Sequence, residues 1–205
     1  MTVPRLHIIT DSSVLEAPAF PSTAKAVLNA GGSRIALHLR APGTGGRVLW
    51  RVVEACAAVA RESGSRIVIN DRLDLAVGSG AWGVQLGRRS FPVAAARLIL
   101  SSGVRIGVSV HDPEEARTAV DAGADFLIAG TLYPSLSHPG AGSTGVQWIS
   151  AIPGRKPVIG VGGITPERVP EVLTAGAHGV AVIRGVWSSP SPVDAMEEYL
   201  AALPG

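Results

Sequence analysis

The sequence predicts an α/β fold, a single (β/α)8 TIM barrel in which residues 1–205 form one domain. Eight short apolar runs rich in β-branched residues alternate with Ala-rich segments of helical periodicity, and 205 residues suit one domain. Runs of this length are typical of strands buried on both faces, and the segments between them of crossover helices. The predicted strands are 6–10, 34–39, 66–70, 83–86, 105–110, 126–130, 157–162 and 179–183.

A doubly wound open sheet is the alternative for alternating strands and helices. The first predicted strand leads into TDSSVLEAPAF, which lacks the G-x-G-x-x-G fingerprint of that fold. Helix starts follow the strands as a barrel requires. Asp112 is predicted to cap a helix that opens with Pro113, and Thr165 with Pro166 repeats the pattern.

Composition excludes several classes of protein. The formal net charge is +2, the basic residues are scattered, and only 4% of residues are aromatic, so no nucleic-acid surface is expected. No apolar run approaches the ~20 residues of a membrane span. The N-terminal residues do not resemble a signal peptide, so a cytoplasmic protein without a membrane partner is expected. Cys56, the only cysteine, lies on an apolar helical face and is expected in the core.

Polar residues concentrate where the predicted strands end, at the edge where barrels of this kind form active sites. His111 follows the fifth strand, and the pKa of a free histidine, about 6.5, suits proton transfer near neutral pH. The Gly/Pro-rich loop 131–142 is a candidate lid. The candidate substrate-binding residues are Arg40, Asn70, Asp71, Gln85, Ser109, Ser135, Ser137 and His138.

The stretch GVGGIT (160–165) is the clearest ligand signal. Its glycines, with Gly162 and Gly163 at the centre, allow backbone amides to approach an oxyanion, and the following helix adds the positive end of its dipole. The loops after strands seven and eight form the usual phosphate site of this fold, which adds Ile183 and Arg184. A tight turn without a ligand is the alternative.

Four stretches carry a family resemblance that covers nearly the whole chain: INDRLDLA (69–76), IGVSVHDPEEA (106–116), AGADFLIAGTLYPSLSH (122–138) and VIGVGGITPERVPEVLTAGAHGVAVI (158–183). With these motifs the chain resembles the thiamine phosphate synthase/TenI superfamily. The resemblance implies a (β/α)8 barrel and one of two activities.

The synthases of that superfamily couple a hydroxymethylpyrimidine pyrophosphate with a thiazole phosphate, and their chemistry needs Mg²⁺ held by oxygen ligands. The resemblance matches Asp71 to one of their two metal-binding aspartates. Three positions depart from the synthase pattern. Ser90 stands where the second aspartate is expected, and Pro42 and His138 stand where lysines are expected.

The TenI-type thiazole tautomerases therefore provide the favoured expectation, and VQLGRRSFP (84–92) and GVWSSPSPVDAMEEY (185–199) are similar to that branch. The resemblance implies a metal-independent isomerisation of a thiazole carboxylate phosphate without a cofactor. His111 would be the acid/base group and Arg40 the carboxylate contact, while Asp71 would pair with Arg40 or Arg72. A synthase is the alternative, followed by a non-catalytic ligand-binding member. Trp50, Trp148 and Trp187 leave a homo-oligomer possible.

Overall fold

The computed structural model describes residues 2–134, 143–154 and 156–204 and contains a closed barrel of eight parallel strands in sequential order. The first strand pairs with both the second and the eighth, so the open sheet is ruled out. Every predicted strand is found within one residue of its expected bounds. The strands are β1 (Leu6–Ile9), β2 (Ile35–Leu39), β3 (Arg66–Asn70), β4 (Gly83–Leu86), β5 (Arg105–Val110), β6 (Phe126–Gly130), β7 (Val158–Val161) and β8 (Gly179–Val182).

Successive side chains of each strand point alternately to the helices and into the barrel. On β1, Leu6 and Ile8 join the large core under the helices, whereas Ile9 joins the smaller cluster inside the barrel. His7 lies in the inward register and its ring is 5.5 Å from that of Phe126, centroid to centroid. Residues in this inward register at the carboxyl ends of the strands therefore face the rim where a ligand can bind.

Helices cover the outside of the barrel. Asp112 caps the helix Pro113–Asp121 as predicted, because its carboxylate accepts a hydrogen bond from the backbone N–H of Glu115 at 2.8 Å. Thr165 makes no such bond, and a 3-10 turn (Pro166–Arg168) precedes the helix there. In the described ranges the α-helices are α1 (Ser12–Glu16), α2 (Phe20–Gly31), α3 (Gly46–Ser63), α4 (Leu73–Ser79), α5 (Val93–Ile99), α6 (Pro113–Asp121), α7 (Val169–Thr174), α8 (Arg184–Trp187) and α9 (Pro192–Ala202).

The hydrophobic core contains or contacts the single cysteine and three of the tryptophans. Cys56 is buried on α3, and burial raises the pKa of its thiol to about 12, so the thiol is a core group as expected. Trp50, Trp148 and Trp187 are half-buried and pack against the main core. None of the helices in the described part of the chain has the length and apolarity to cross a membrane.

Candidate active site at the carboxyl rim of the barrel

Three of the predicted rim residues come together on neighbouring strands. Asn70, the last residue of β3, is the register partner of Gln85 on β4. The side-chain amide of Gln85 donates to the hydroxyl of Ser109 on β5 at 3.0 Å. Gly107 makes room for this arrangement, since a Cβ there would lie 2.3 Å from Gln85 Oε1. The side chains of β3, β4 and β5 thus form one polar layer beneath the rim.

Arg40 follows β2 directly and shares its inward register with His38. Thr10, the residue after β1, fixes its backbone, because the Thr10 hydroxyl accepts from the Arg40 amide at 2.9 Å and lies 3.1 Å from the Arg40 carbonyl oxygen. Within the described residues the Arg40 guanidinium makes no ion pair or hydrogen bond with another side chain. Arg40 therefore offers a half-buried cation to a ligand.

Asp71 has a strained backbone and an unexpected partner. It is the one non-glycine residue with positive φ (62°) in the described part of the chain, a conformation that is often found at functional sites. The Ser90 hydroxyl donates to its carboxylate and accepts from the backbone N–H of Gly87 at 2.7 Å. The predicted pairing with Arg40 or Arg72 is wrong, because Arg72 instead binds Asp74 at 2.8 Å.

The Asp71–Ser90 pair fits a divalent cation of the kind that phosphate substrates bring with them. Mg²⁺ prefers oxygen ligands and is commonly held by one or two carboxylates together with substrate phosphates and water. Asp71 supplies a carboxylate and Ser90 a hydroxyl at the same point of the rim. Over the described ranges, no group of three or more His, Cys, Asp or Glu side chains forms a complete cage. A cation bound here would need further oxygen atoms from substrate phosphates and water.

His111 lies just past β5 and is held by a residue that the sequence reasoning missed. Glu115 on α6 accepts from the His111 backbone N–H at 2.8 Å and lies 2.9 Å from its Nδ1. Arg88 donates to the other carboxylate oxygen at 3.0 Å. Since a carboxylate accepts, the proton is on Nδ1 and Nε2 is left for a ligand. The i,i+4 spacing of a histidine and a glutamate was the signal that could have revealed this pair.

The electrostatics of this cluster favour a charged carboxylate. Partial desolvation raises the pKa of Glu115, but hydrogen bonds from His111 and Arg88 outweigh it, so the pKa lies below its ordinary value. The His111 side chain is 42% exposed, so it is accessible to a ligand.

A cavity of about 270 Å³ opens between β7 and β8. It brings together the four residues predicted to bind phosphate, Gly162, Gly163, Ile183 and Arg184. The short helix α8 also begins at this cavity, and the first backbone N–H groups of a helix have no hydrogen-bond partner within the helix. The remaining lining residues are Thr131, Pro134, Val161, Ile164, Thr165, Ala181, Val182, Gly185 and Tyr199.

The glycines of this cavity are required by the backbone. Gly162 and Gly163 have φ of 102° and 62°, which side chains rarely adopt. A Cβ on Gly163 would lie 2.5 Å from the carbonyl oxygen of Pro134, and one on Gly162 would lie 2.5 Å from the Thr131 side chain. The turn therefore packs directly against the chain that follows β6.

Three further residues that sequence reasoning missed support this turn. Arg168 donates to the Gly163 carbonyl at 2.6 Å and stacks over the Tyr133 ring at 4.5 Å. The Tyr133 hydroxyl donates to Glu171 at 2.6 Å. These contacts join α7 to the start of the sixth loop. The predicted site residues Ser135, Ser137 and His138 lie outside the described residues, as does most of the candidate lid 131–142.

A parallel eight-stranded barrel with polar groups at its carboxyl rim and a glycine-lined cavity between its last two strands has the architecture of TIM-barrel enzymes. The chain belongs to the thiamine monophosphate synthase family, whose model matches residues 6–186.

Two similar proteins named thiamine-phosphate synthase come from Methanoregula boonei and Chlorobium luteolum. They are each 36% identical, and the matches cover 94% and 98% of this chain and 90% and 93% of those proteins. A solved structure of a thiamine phosphate pyrophosphorylase from Pyrococcus furiosus superposes with a TM-score of 0.84 at 30% identity. That match covers 97% of this chain and 94% of the other.

These findings correct the expected activity. The prediction of a thiazole tautomerase is wrong, since the full-length relatives are named as synthases, and the alternative kept beside it is the better supported. The inference failed because it treated Ser90 as a lost metal ligand. In the structure the Ser90 hydroxyl contacts Asp71, so an oxygen atom is kept at that point.

Proposed function

We propose that this chain is a thiamine-phosphate synthase, which couples a hydroxymethylpyrimidine pyrophosphate with a thiazole phosphate. The thiazole nitrogen supplies the electron pair of the new C–N bond, and the C–O bond to pyrophosphate breaks with its electrons on the leaving group. Two anionic groups must therefore be held on one rim. The observation that carries the proposal is that an Asp71–Ser90 oxygen pair and the β7–β8 cavity share that rim.

The pyrophosphate belongs on the β3–β5 side in this proposal. Asp71 and Ser90 would hold Mg²⁺, which when bound neutralises the charge of the leaving pyrophosphate. The Arg40 guanidinium, which makes no ion pair or side-chain hydrogen bond within the described residues, would pair with pyrophosphate oxygens. His111, oriented by Glu115, would donate from Nε2 to the departing group when its ring is protonated.

The thiazole phosphate belongs in the β7–β8 cavity. A phosphate can accept hydrogen bonds from backbone amides in this cavity, namely those of Gly162, Gly163 and Ile183 and those at the start of α8. Arg184 lies at the cavity edge. Partial desolvation raises the pKa of Asp11 on the same rim, but hydrogen bonds from Ser13 and Val14, with a smaller contribution from the charge of Arg184, lower it below its ordinary value. Gln85 and Ser109 form the polar layer beneath the two ligands.

The loss of two family lysines is compatible with this arrangement. Pro42 is exposed and its carbonyl accepts from Ser12 at 3.0 Å, so that position contributes backbone only. Arg40 and Arg184 are guanidinium groups on the rim, and guanidinium pairs bidentately with phosphate. Cations already present can thus serve both ligands.

The direct test is a coupling assay in which the purified protein receives both substrates with and without Mg²⁺. We expect thiamine phosphate to form only with Mg²⁺, and Asp71→Asn to lower kcat/KM by roughly 10² to 10³-fold. Asp74→Asn is the matched control, since this nearby carboxylate binds Arg72 and not Ser90. It should keep wild-type turnover.

Three results would argue against the proposal. Equal coupling without Mg²⁺ would remove the role of the Asp71–Ser90 pair. Equal losses in the Asp71 and Asp74 variants would mean a general effect of charge. Tight binding of both substrates with no turnover would identify a non-catalytic member of the family.

A further inference from the structure

Tyr199 on the C-terminal helix α9 reaches the β7–β8 cavity, although it has no role in the proposed reaction. Its side chain is only 2% exposed, and it lines the cavity together with the turn 162–165 and the start of α8. The whole of α9 lies beyond residues 6–186, the part of the chain that the family model matches. The family match therefore assigns no role to this residue.

The Tyr199 hydroxyl is bonded to the first wall of the cavity, the turn that follows β7. In a buried contact it donates to the carbonyl oxygen of Ile164 at 2.9 Å. A carbonyl oxygen can only accept, so this contact needs the protonated phenol. Burial raises the pKa of the Tyr199 hydroxyl to about 12, so the hydroxyl keeps its proton at neutral pH. The hydrogen bond is therefore present under ordinary assay conditions.

This hydrogen bond orients a backbone amide as well as a carbonyl. The C=O and N–H groups of one trans peptide are coplanar and point in opposite directions. Holding the Ile164 carbonyl therefore sets the direction of the N–H of Thr165, which also lines the cavity. Arg168 holds the preceding carbonyl, that of Gly163, at 2.6 Å. Side chains thus orient two successive peptides of the turn.

The same hydroxyl contacts the second wall, the chain that follows β8. A Cβ added to Gly185 would lie 2.2 Å from the Tyr199 hydroxyl oxygen and 3.0 Å from the ring carbon that carries it. Only a residue without a side chain lets the hydroxyl come so close to the backbone at the start of α8. One hydroxyl group therefore contacts both backbone segments that enclose the cavity.

Helix α9 is attached to the rest of the protein at other points as well. Met196, on the preceding turn of the helix, is 0% exposed and belongs to the main core. Glu197 accepts from Arg34 through both carboxylate oxygens, at 2.6 and 3.0 Å. Tyr199 therefore contacts the cavity from an element whose position is set elsewhere.

We propose that Tyr199 is a positioning residue that clamps the two backbone walls of the β7–β8 cavity at the spacing that a bound phosphate requires. The ligand class is a phosphate monoester, and its identity as the thiazole phosphate rests on the proposed function. In Tyr199→Phe the ring remains, but the Ile164 carbonyl loses its partner and the turn is free to move. The substitution should weaken phosphate binding and leave the chemical step unchanged.

The first test measures binding of the thiazole phosphate without Mg²⁺ and without the second substrate. Isothermal titration calorimetry should give a Kd about three- to tenfold higher for Tyr199→Phe than for the wild type, the value of one hydrogen bond. In steady-state kinetics KM for the thiazole phosphate should rise by the same factor. Both kcat and KM for the pyrimidine pyrophosphate should stay within about twofold of the wild type. A loss of kcat with unchanged Kd would overturn the proposal.

Glu197→Gln is the matched control, because it lies on the same helix and removes the ion pair with Arg34 without reaching the cavity. It should keep the wild-type Kd and KM. An equal rise in Kd in Glu197→Gln and Tyr199→Phe would mean that only the attachment of α9 matters, and the clamp would be refuted.

A double-mutant cycle with Gly185→Ala tests the contact with the second wall. Alone, the new Cβ meets the hydroxyl oxygen at 2.2 Å, and Kd should rise by about tenfold, the size of an overpacking cost. In the Tyr199→Phe background that oxygen is absent and the nearest atom is the ring carbon at 3.0 Å, so the same substitution should cost much less. Additive effects would contradict the contact and overturn the proposal.

The clamp and the synthase proposal fail in different ways. If the wild-type protein binds the thiazole phosphate but does not couple it, the synthase proposal fails, and the calorimetric results alone decide the role of Tyr199. If the wild-type protein does not bind the thiazole phosphate, the clamp proposal fails.

Discussion

The two sides of the rim are built in different ways. On the β7–β8 side, backbone forms the site, and Gly162 and Gly163 are there because no side chain fits. On the β3–β5 side, pairs of side chains form the site, and its two main contacts are Asp71 with Ser90 and His111 with Glu115. A backbone site tolerates almost no substitution at its glycines, whereas a side-chain site can exchange partners and keep its chemistry.

Breaking the backbone side should have the largest effect. In Gly163→Ala, the new Cβ meets the backbone oxygen of Pro134 at 2.5 Å, so the turn must move. A displacement of about 1 Å at a ligand site can cost roughly 10²-fold in rate. We expect a fall of this size or more in kcat/KM, measured with the thiazole phosphate as the varied substrate.

Gly80→Ala is the matched control for Gly163→Ala. Gly80 ends α4 with φ of 66°, close to the 62° of Gly163, but a Cβ there meets nothing within 4 Å. Both variants pay the left-handed cost of about 1 to 2 kcal/mol in the free energy of unfolding. Only Gly163→Ala should lose activity. Equal kinetics in the two variants would show that the turn does not touch the ligand.

On the side-chain half, His111→Gln should have the next largest effect. Loss of a positioned proton donor is expected to lower kcat by ~10²-fold. Glu115→Gln should cost less, about tenfold, because its amide can still accept from Nδ1 but no longer carries charge. Steady-state kinetics of both variants provide the measurement.

Glu114→Gln is the control for this pair, since Glu114 lies one residue away on α6 and binds Arg117 on the solvent side. It should behave as wild type. If His111→Gln retains full kcat, the histidine has no part in the chemistry, and its contact with Glu115 serves only to hold the backbone that follows β5.

The same contrast explains what could be predicted from the sequence. Strands were predictable to within one residue because both faces are buried and the apolar runs end where burial ends. The β7–β8 residues were predictable because glycine spacing reports backbone geometry. The pairing of Asp71 with Ser90 was not, because it joins residues on two different loops. The pairing of His111 with Glu115 was missed although its i,i+4 spacing indicated it. The prediction that Ser90 marks a lost metal site failed because the residue type alone does not show that its hydroxyl contacts Asp71.

The smallest expected effect comes from a substitution that adds a second carboxylate to the β3–β5 side. Ser90→Asp places a second carboxylate beside Asp71, which raises the local negative charge where Mg²⁺ is proposed to bind. We expect the Mg²⁺ concentration for half-maximal coupling to fall about three- to tenfold, while kcat changes little. Without Mg²⁺ the two carboxylates repel, so thermal stability should drop and then recover as Mg²⁺ is added.

Ser101→Asp adds the same charge after α5, at the opposite end of the barrel, and separates a local effect from net charge. Its Mg²⁺ dependence should match that of the wild type. An unchanged Mg²⁺ dependence in Ser90→Asp would mean that Ser90 only orients Asp71, and that ligand oxygens and water complete the coordination of the ion. A weaker Mg²⁺ dependence would contradict a cation at this pair. In that case Arg40 and His111 alone would bind the pyrophosphate on the β3–β5 side.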